Sequence, residues 1–122
     1  MSLLESGENY LETILVLTQR NGSVRSIDVA NEMNFTKPSV SRAMSILKRE
    51  EYIHMEADGR LVLTEKGMQK ATSVLERHLI LTRYINEVLG VSQEIAEKDA
   101  CRIEHIISPE TFEGIKKQLK KA

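Results

Sequence analysis

Three side chains that can bind a metal ion lie close together near the C-terminus. Cys101, Glu104 and His105 stand at positions i, i+3 and i+4 of a segment with helical apolar spacing, so they share one flank of a predicted helix. Glu97 lies one turn earlier beside them. A thiol, a carboxylate and an imidazole suit Fe(II), Mn(II), Co(II), Ni(II) or Zn(II) better than Mg(II). The spacing indicates a transition-metal site, but such trios also commonly have purely structural roles.

Further candidate ligands lie in two other segments. His78 lies midway along a long amphipathic segment, where a single histidine is usually an ordinary core or surface residue. Asn9 and Glu12 belong to the first turns of an N-terminal helix, where acids suit the positive end of the helix dipole. Their oxygens would complete an octahedral set of ligands if this first helix packs across the helix that carries Cys101.

A second group of polar residues lies on and around a predicted recognition helix. Residues 26–33, with Ser26 as the expected cap, and residues 36–49 form two helices joined by a tight turn. Residues 52–63 form a β-hairpin around Asp58-Gly59, a pair favoured in two-residue turns in which both positions have positive φ. This order is that of a winged helix-turn-helix. The residues expected to contact DNA are Thr36, Lys37, Ser39, Ser41, Arg42, Arg49 and Arg60.

Arg42 is the first choice for a contact to a base edge, and Arg60 for a phosphate or minor-groove contact from the wing. An isolated basic helix is more often only a solvated surface, and the hairpin that follows favours the DNA-binding interpretation. A winged helix that binds another protein instead of DNA stays an alternative.

Helical periodicity dominates the rest of the chain. It predicts helices over residues 5–19, from the cap Thr64 to Leu89, from Ser92 to Ile107 and from Pro109 onward. The predicted fold is mainly α. A winged helix-turn-helix with a short hairpin occupies residues 1–64, and a helical dimerisation and metal-binding domain occupies residues 65–122.

Charge and cysteine content restrict the function further. The 122 residues carry a net charge of −1, from 17 basic and 18 acidic side chains, so bulk electrostatics do not favour constitutive DNA binding. A cation that neutralises an acidic sensor would remove this obstacle. The single cysteine excludes an intramolecular disulfide and favours a cytoplasmic location, and no apolar run approaches membrane-spanning length.

The sequence resembles the diphtheria-toxin-repressor and manganese-transport-regulator family of metal-dependent repressors. The resemblance lies in residues 8–12, 40–47, 61–67, 77–79 and above all 100–108, which read Ala-Cys-Arg-Ile-Glu-His-Ile-Ile-Ser. It implies a homodimer that binds palindromic operator DNA when loaded with Mn(II) or Fe(II), with metal-uptake genes as targets. Two recognition helices would then contact successive major grooves.

By position, the resemblance also implies a set of ligands. His78, Cys101, Glu104 and His105 match family ligand positions, Glu12 matches a manganese-branch ligand, and Glu97 occupies an ancillary position. Asn9 stands where the manganese branch has Asp and the iron branch has Met, and Thr82 replaces a Glu of the iron branch. These departures leave the metal and the number of sites open.

Two rival functions remain to be tested. A winged-helix regulator could sense a small molecule, or an oxidant through Cys101, and would then bind its operator equally well in chelator. Glu104-His105 could suggest a metal-dependent hydrolase. Because the sequence has no HExxH motif, nucleophile elbow or phosphate-binding loop, we expect no enzymatic activity.

Overall fold

The structure is a computed structural model that describes residues 5–121. Residues 1–4 and 122, which the predicted domains include at their ends, lie outside the described residues. The described elements confirm a mainly helical fold with one hairpin. In chain order they are α1 (Glu5–Asn21), α2 (Ser26–Met33), α3 (Lys37–Arg49), β1 (Ile53–Met55), β2 (Leu61–Leu63), α4 (Glu65–Glu87), α5 (Gln93–Ile103) and α6 (Pro109–Lys121).

The chain forms two compact units, the first ending at Thr72 and the second beginning at Ser73. Helix α4 begins in the first unit and continues into the second. The domain boundary between residues 64 and 65 stays a prediction. Among the described helices, none has both the length and the apolar character needed to cross a membrane.

The first unit is a winged helix-turn-helix built on apolar residues at helical spacing. Helix α3 buries Val40, Met44 and Leu47, which stand at i, i+4 and i+7 and therefore share one face. Thr36 caps this helix as predicted, because its hydroxyl accepts a hydrogen bond from the Ser39 N–H at 3.3 Å. The wing is an antiparallel pair in which Met55 faces Leu61.

Two details of this unit differ from the prediction. The cap of α2 is Arg25, and Ser26 is already the first helical residue. The wing turn is not the two-residue type, because Gly59 has a positive φ of 92° and Asp58 does not have a positive φ. Instead the Gly59 N–H donates to the Glu56 carbonyl, and the Glu56 N–H donates to the Arg60 carbonyl, both at 2.9 Å. A three-residue loop of this kind needs only one left-handed residue, which glycine adopts without steric cost.

Helix α4 begins where the wing ends, and its start depends on a glycine. The Thr64 hydroxyl accepts from the Gly67 N–H at 3.0 Å, which confirms the predicted cap. A Cβ added at Gly67 would overlap the Tyr52 carbonyl oxygen and lie 2.9 Å from its carbon. Gly67 therefore allows the first turn of α4 to approach the backbone that precedes β1.

In the second unit, α5 is shorter than predicted. Ser92, where the sequence predicted the helix to begin, is its N-cap, and the helix buries Ala96 and Ala100 and ends at Ile103 rather than at about Ile107. The backbone N–H groups of Ile106 and Ile107 both donate to the Ile103 carbonyl at 3.0 Å, so the residues after the helix form a tight turn. Helix α4 likewise ends at Glu87, two residues before the predicted Leu89.

Candidate metal centre and DNA-binding surface

A buried carboxylate lies at the end of α5, in contact with two imidazoles. Glu104 occupies the C-cap position of α5 and is 1% exposed. One oxygen, Oε2, lies 2.8 Å from Nδ1 of His78 on α4. The other, Oε1, lies 3.3 Å from Nε2 of His105, whose side chain is 2% exposed. The second unit therefore brings together His78, Glu104 and His105, although His78 precedes Glu104 by 26 residues in sequence.

The hydrogen bonding of this carboxylate is incomplete. Glu104 Oε1 is buried and has no hydrogen-bond partner among the described residues, although Nε2 of His105 lies 3.3 Å away. Buried polar atoms in native proteins are nearly always paired, and a buried charge without partners is unstable. An oxygen in this state, with two imidazole nitrogens nearby, is the donor set expected where a divalent transition metal supplies the missing partner. The residues therefore fit the predicted metal.

The structure separates some of the side chains that the sequence placed together on one helix flank. Glu104 keeps helical backbone angles at the C-cap of α5, and its N–H donates to the Ala100 carbonyl at 2.9 Å, so helical spacing extends to Glu104, while His105 lies in the turn that follows. Cys101 is an exposed residue in the last turn of α5. Glu97 is also exposed and accepts a hydrogen bond from Gln93 Nε2 at 3.1 Å. Glu104 is therefore buried, whereas Cys101 and Glu97, which helical spacing placed on the same flank, are exposed.

The remaining candidates lie on helices α1 and α4. Asn9 and Glu12 are half-buried residues of α1 in the first unit, and both stay predicted ligands. Thr82, one turn after His78 on α4, is 7% exposed, and its hydroxyl has no hydrogen-bond partner among the described residues.

The recognition helix presents the cations that the sequence indicated. The predicted DNA-binding residues on and before α3 are all exposed: Thr36, Lys37, Ser39, Ser41, Arg42 and Arg49. Within residues 5–121, the charged groups of Lys37, Arg42 and Arg49 have no hydrogen bond or ion pair. Because no acid neutralises them, these three cations are available to phosphates and base edges.

The wing carries a cluster of two arginines around one aspartate. Arg60 Nε donates to both carboxylate oxygens of Asp58, at 3.1 and 2.8 Å. Arg25 Nε donates to the Asp58 carbonyl at 3.2 Å, and Arg25 also forms an isolated β-bridge with Arg60. The backbone N–H of Arg60, followed by its side chain, lowers the pKa of Asp58.

Sequence reasoning missed Arg25, because it lies 33 residues from its partner Asp58. The only local signal was its place directly before α2, where a strand can precede the helix-turn-helix. With Arg60, it gives the wing two guanidinium groups that both lie beside the Asp58 carboxylate.

A winged helix-turn-helix followed by a unit with a buried carboxylate–imidazole cluster is the architecture of a metal-dependent transcription regulator. Comparison with known families gives the same result for almost the whole chain. Residues 2–61 match the model described as iron dependent repressor, N-terminal DNA binding domain. Residues 64–122 match the model described as iron dependent repressor, metal binding and dimerisation domain. The chain belongs to the iron-dependent repressor family, which is a family of transcriptional repressors and not of enzymes.

Individual relatives agree with this assignment. An uncharacterised HTH-type transcriptional regulator of Methanocaldococcus jannaschii is 31% identical over 113 residues, covering 92% of this chain and 90% of the relative. The iron-dependent repressor IdeR of Mycobacterium tuberculosis is 30% identical over 117 residues, covering 96% of this chain and 51% of IdeR. The chain therefore spans about half the length of IdeR.

Among solved structures, that of the manganese regulator SloR superposes with a TM-score of 0.84 at 24% identity. The match covers 100% of this chain and 56% of SloR. At this level of identity the similarity concerns the fold, and it confirms a winged helix-turn-helix followed by a helical unit.

Proposed function

We propose that this protein is a cytoplasmic repressor that binds palindromic operator DNA as a homodimer when Mn(II) or Fe(II) is bound, and that it controls metal-uptake genes. The observation that carries the proposal is the buried Glu104 carboxylate, which lies between His78 and His105 with one oxygen unpaired among the described residues. The bound ion would supply a positive charge and fixed ligand directions at this point. Membership of the iron-dependent repressor family supports the same function.

The proposed ligands differ in how directly they are supported. His78, Glu104 and His105 are already in contact, and we propose that Cys101 joins them. Asn9 and Glu12 are proposed as oxygen ligands from α1, and Glu97 as a ligand of an ancillary site. These last assignments rest on the family resemblance and on donor chemistry.

The proposed DNA contacts divide by chemistry. Arg42 would donate to base edges in the major groove, while Lys37 and Arg49 would contact phosphates. The hydroxyls of Thr36, Ser39 and Ser41 stand near the N-terminus of α3, where recognition helices approach DNA. We add Arg25 to Arg60 as a wing contact, since Asp58 holds both guanidinium groups at the wing tip.

Metal binding would act on DNA affinity through charge and through position. Neutralising buried and half-buried carboxylates lowers the electrostatic repulsion between an acidic chain and DNA. Ordering the ligand-bearing segments fixes the spacing of two recognition helices in a dimer. A coupling free energy of about 1 to 3 kcal/mol, the usual allosteric range, would change operator affinity about 5- to 150-fold.

The test is a DNA-binding titration of the full chain by fluorescence anisotropy, with a duplex recovered from a random-sequence pool in Mn(II). Wild type should bind this duplex more tightly in Mn(II) or Fe(II) than in chelator. Glu104→Ala and His105→Ala should lose that difference, whereas Glu94→Ala, at an exposed position on α5, should keep it.

Each rival predicts a different result. If affinity is the same in chelator and falls after peroxide treatment, the oxidant-sensing alternative through the exposed Cys101 replaces the metal-sensing proposal. If no duplex is recovered in any metal, the winged helix has a partner other than DNA. If both ligand variants retain metal-dependent binding, the assignment of the metal site is wrong.

A further inference from the structure

Arg77 contacts the backbone of the turn that carries Glu104 and His105. Its Nη1 donates to the Glu104 carbonyl at 3.2 Å and to the Ile107 carbonyl at 2.9 Å. We propose that Arg77 is a positioning residue for the metal site, which holds this turn so that the Glu104 carboxylate and the His105 imidazole are preorganised for the ion. The proposal rests on the proposed metal-dependent function.

The first argument is that the turn needs an external donor. Helix α5 ends at Ile103, and the last carbonyls of a helix have no partner within the helix. A cationic side chain at a helix C-terminus satisfies such carbonyls and also interacts favourably with the negative end of the helix dipole. Arg77 supplies this donor from α4, 27 residues from Glu104 in sequence.

The second argument is that two adjacent residues of α4 contact the same residue in different ways. Arg77 binds the main-chain oxygen of Glu104, while His78 binds its carboxylate at 2.8 Å. Adjacent side chains on a helix diverge by about 100°, so they can approach Glu104 from two directions. Together the two contacts fix both the backbone and the side chain of the central ligand.

The third argument is that the guanidinium is itself held in place. Arg77 is half-buried, and its guanidinium carbon lies 5.5 Å from the ring centre of the buried Phe112 on α6. A planar guanidinium can stack on a ring while it donates in plane to two carbonyls. A lysine ammonium could still donate to the carbonyls, but it has no planar face that can stack on the Phe112 ring.

Positioning groups behind metal ligands affect metal affinity strongly, typically about 10- to 100-fold. The test measures the affinity of the full chain for Mn(II) by competition with a fluorescent chelator, at a temperature where circular dichroism shows each variant folded. Arg77→Met, which keeps the stem and removes the donors, should bind Mn(II) about 10- to 100-fold more weakly. Arg77→Lys should show an intermediate loss.

Arg83→Met is the matched control. Arg83 lies on the same helix, but its ion pair is with Glu87 at 2.8 Å, so this variant should keep wild-type affinity. A second measurement is the visible absorption of bound Co(II), which reports ligand geometry. Arg77→Met should alter this spectrum, whereas a purely structural role would lower the folded fraction and leave the spectrum and affinity of the folded protein unchanged.

The outcomes separate this proposal from the proposed function. If wild type binds Mn(II) and folded Arg77→Met binds it equally well, the positioning role is wrong and the metal-dependent function stands. If Arg77→Met does not fold, Arg77→Lys decides, and wild-type affinity in that variant overturns the proposal. If wild type binds neither Mn(II) nor Fe(II) in this competition, both proposals fail.

Discussion

Replacing Glu104 with glutamine separates the metal-binding role of this side chain from its role in folding. The two side chains have nearly the same shape, but glutamine lacks the charge that attracts a cation. In chelator, loss of the charge-assisted hydrogen bond with His78 should destabilise the fold by about 1.5 to 3 kcal/mol. Removing a charged oxygen that is buried without a hydrogen bond should stabilise the fold by about 1 to 3 kcal/mol. We therefore expect the unfolding free energies of the two chains in chelator to agree within about 2 kcal/mol.

In Mn(II), the stabilities of wild type and Glu104→Gln should differ. At a free Mn(II) concentration about 1,000 times the dissociation constant, wild type gains about 4 kcal/mol of stability. If the variant binds about 100-fold more weakly, the same Mn(II) concentration stabilises it by only about 1.4 kcal/mol. For a chain of this size, 1 kcal/mol shifts the melting temperature by about 3 to 5 °C, so the gains should differ by about 8 to 13 °C.

The assay is thermal unfolding followed by circular dichroism, in chelator and in the same excess of Mn(II). Glu94→Gln is the control, since Glu94 is on the same helix, is 82% exposed and pairs with Lys98 at 3.6 Å. Mn(II) should raise the melting temperature of Glu94→Gln as much as it raises that of wild type. An equal Mn(II)-dependent gain in wild type and Glu104→Gln would refute the assignment of Glu104 as a ligand.

Three further substitutions test other parts of the structure. Gly67→Ala should lower the unfolding free energy in urea by about 2 to 4 kcal/mol, because its Cβ would overlap the Tyr52 carbonyl, and a change under 0.5 kcal/mol would contradict that close approach. Arg42→Ala should weaken binding to the selected duplex by about 1 to 3 kcal/mol more than binding to a shuffled duplex, and equal losses would indicate a phosphate contact instead. Asp58→Asn should be less stable than wild type in urea at pH 6. Because the lowered pKa of Asp58 stabilises the fold only while the carboxyl is ionised, this difference should disappear as pH falls below 3.8, and a constant difference would contradict the role of its charge.

Local sequence patterns were sufficient for most of the architecture. Apolar spacing located α3 and its buried stripe of Val40, Met44 and Leu47, since one helical face packs on the core. Cap residues located helix starts, because Thr36 and Thr64 each accept a backbone N–H of the first turn. These features depend on residues within a few positions of one another.

The candidate site could not be predicted in the same way. Helical spacing extended α5 past Ile103, since the apolar Ile107 fits the helical pattern, and so it missed the tight turn that contains His105. The contact of His78 with Glu104 spans 26 residues and depends on how α4 and α5 pack. Arg25 was missed for the same reason, because its partner Asp58 is close only after the wing has formed.

The most direct test of the central claim is the reciprocity between metal and DNA. The affinity of the full chain for Mn(II) should be measured by chelator competition, first alone and then with a saturating amount of the selected duplex. If the ion held at Glu104 controls DNA binding, the duplex must raise Mn(II) affinity, and the product of the increases at the metal sites of the bound dimer must equal the factor by which Mn(II) raises duplex affinity, about 5- to 150-fold. An Mn(II) affinity that is the same with and without the duplex would contradict the account.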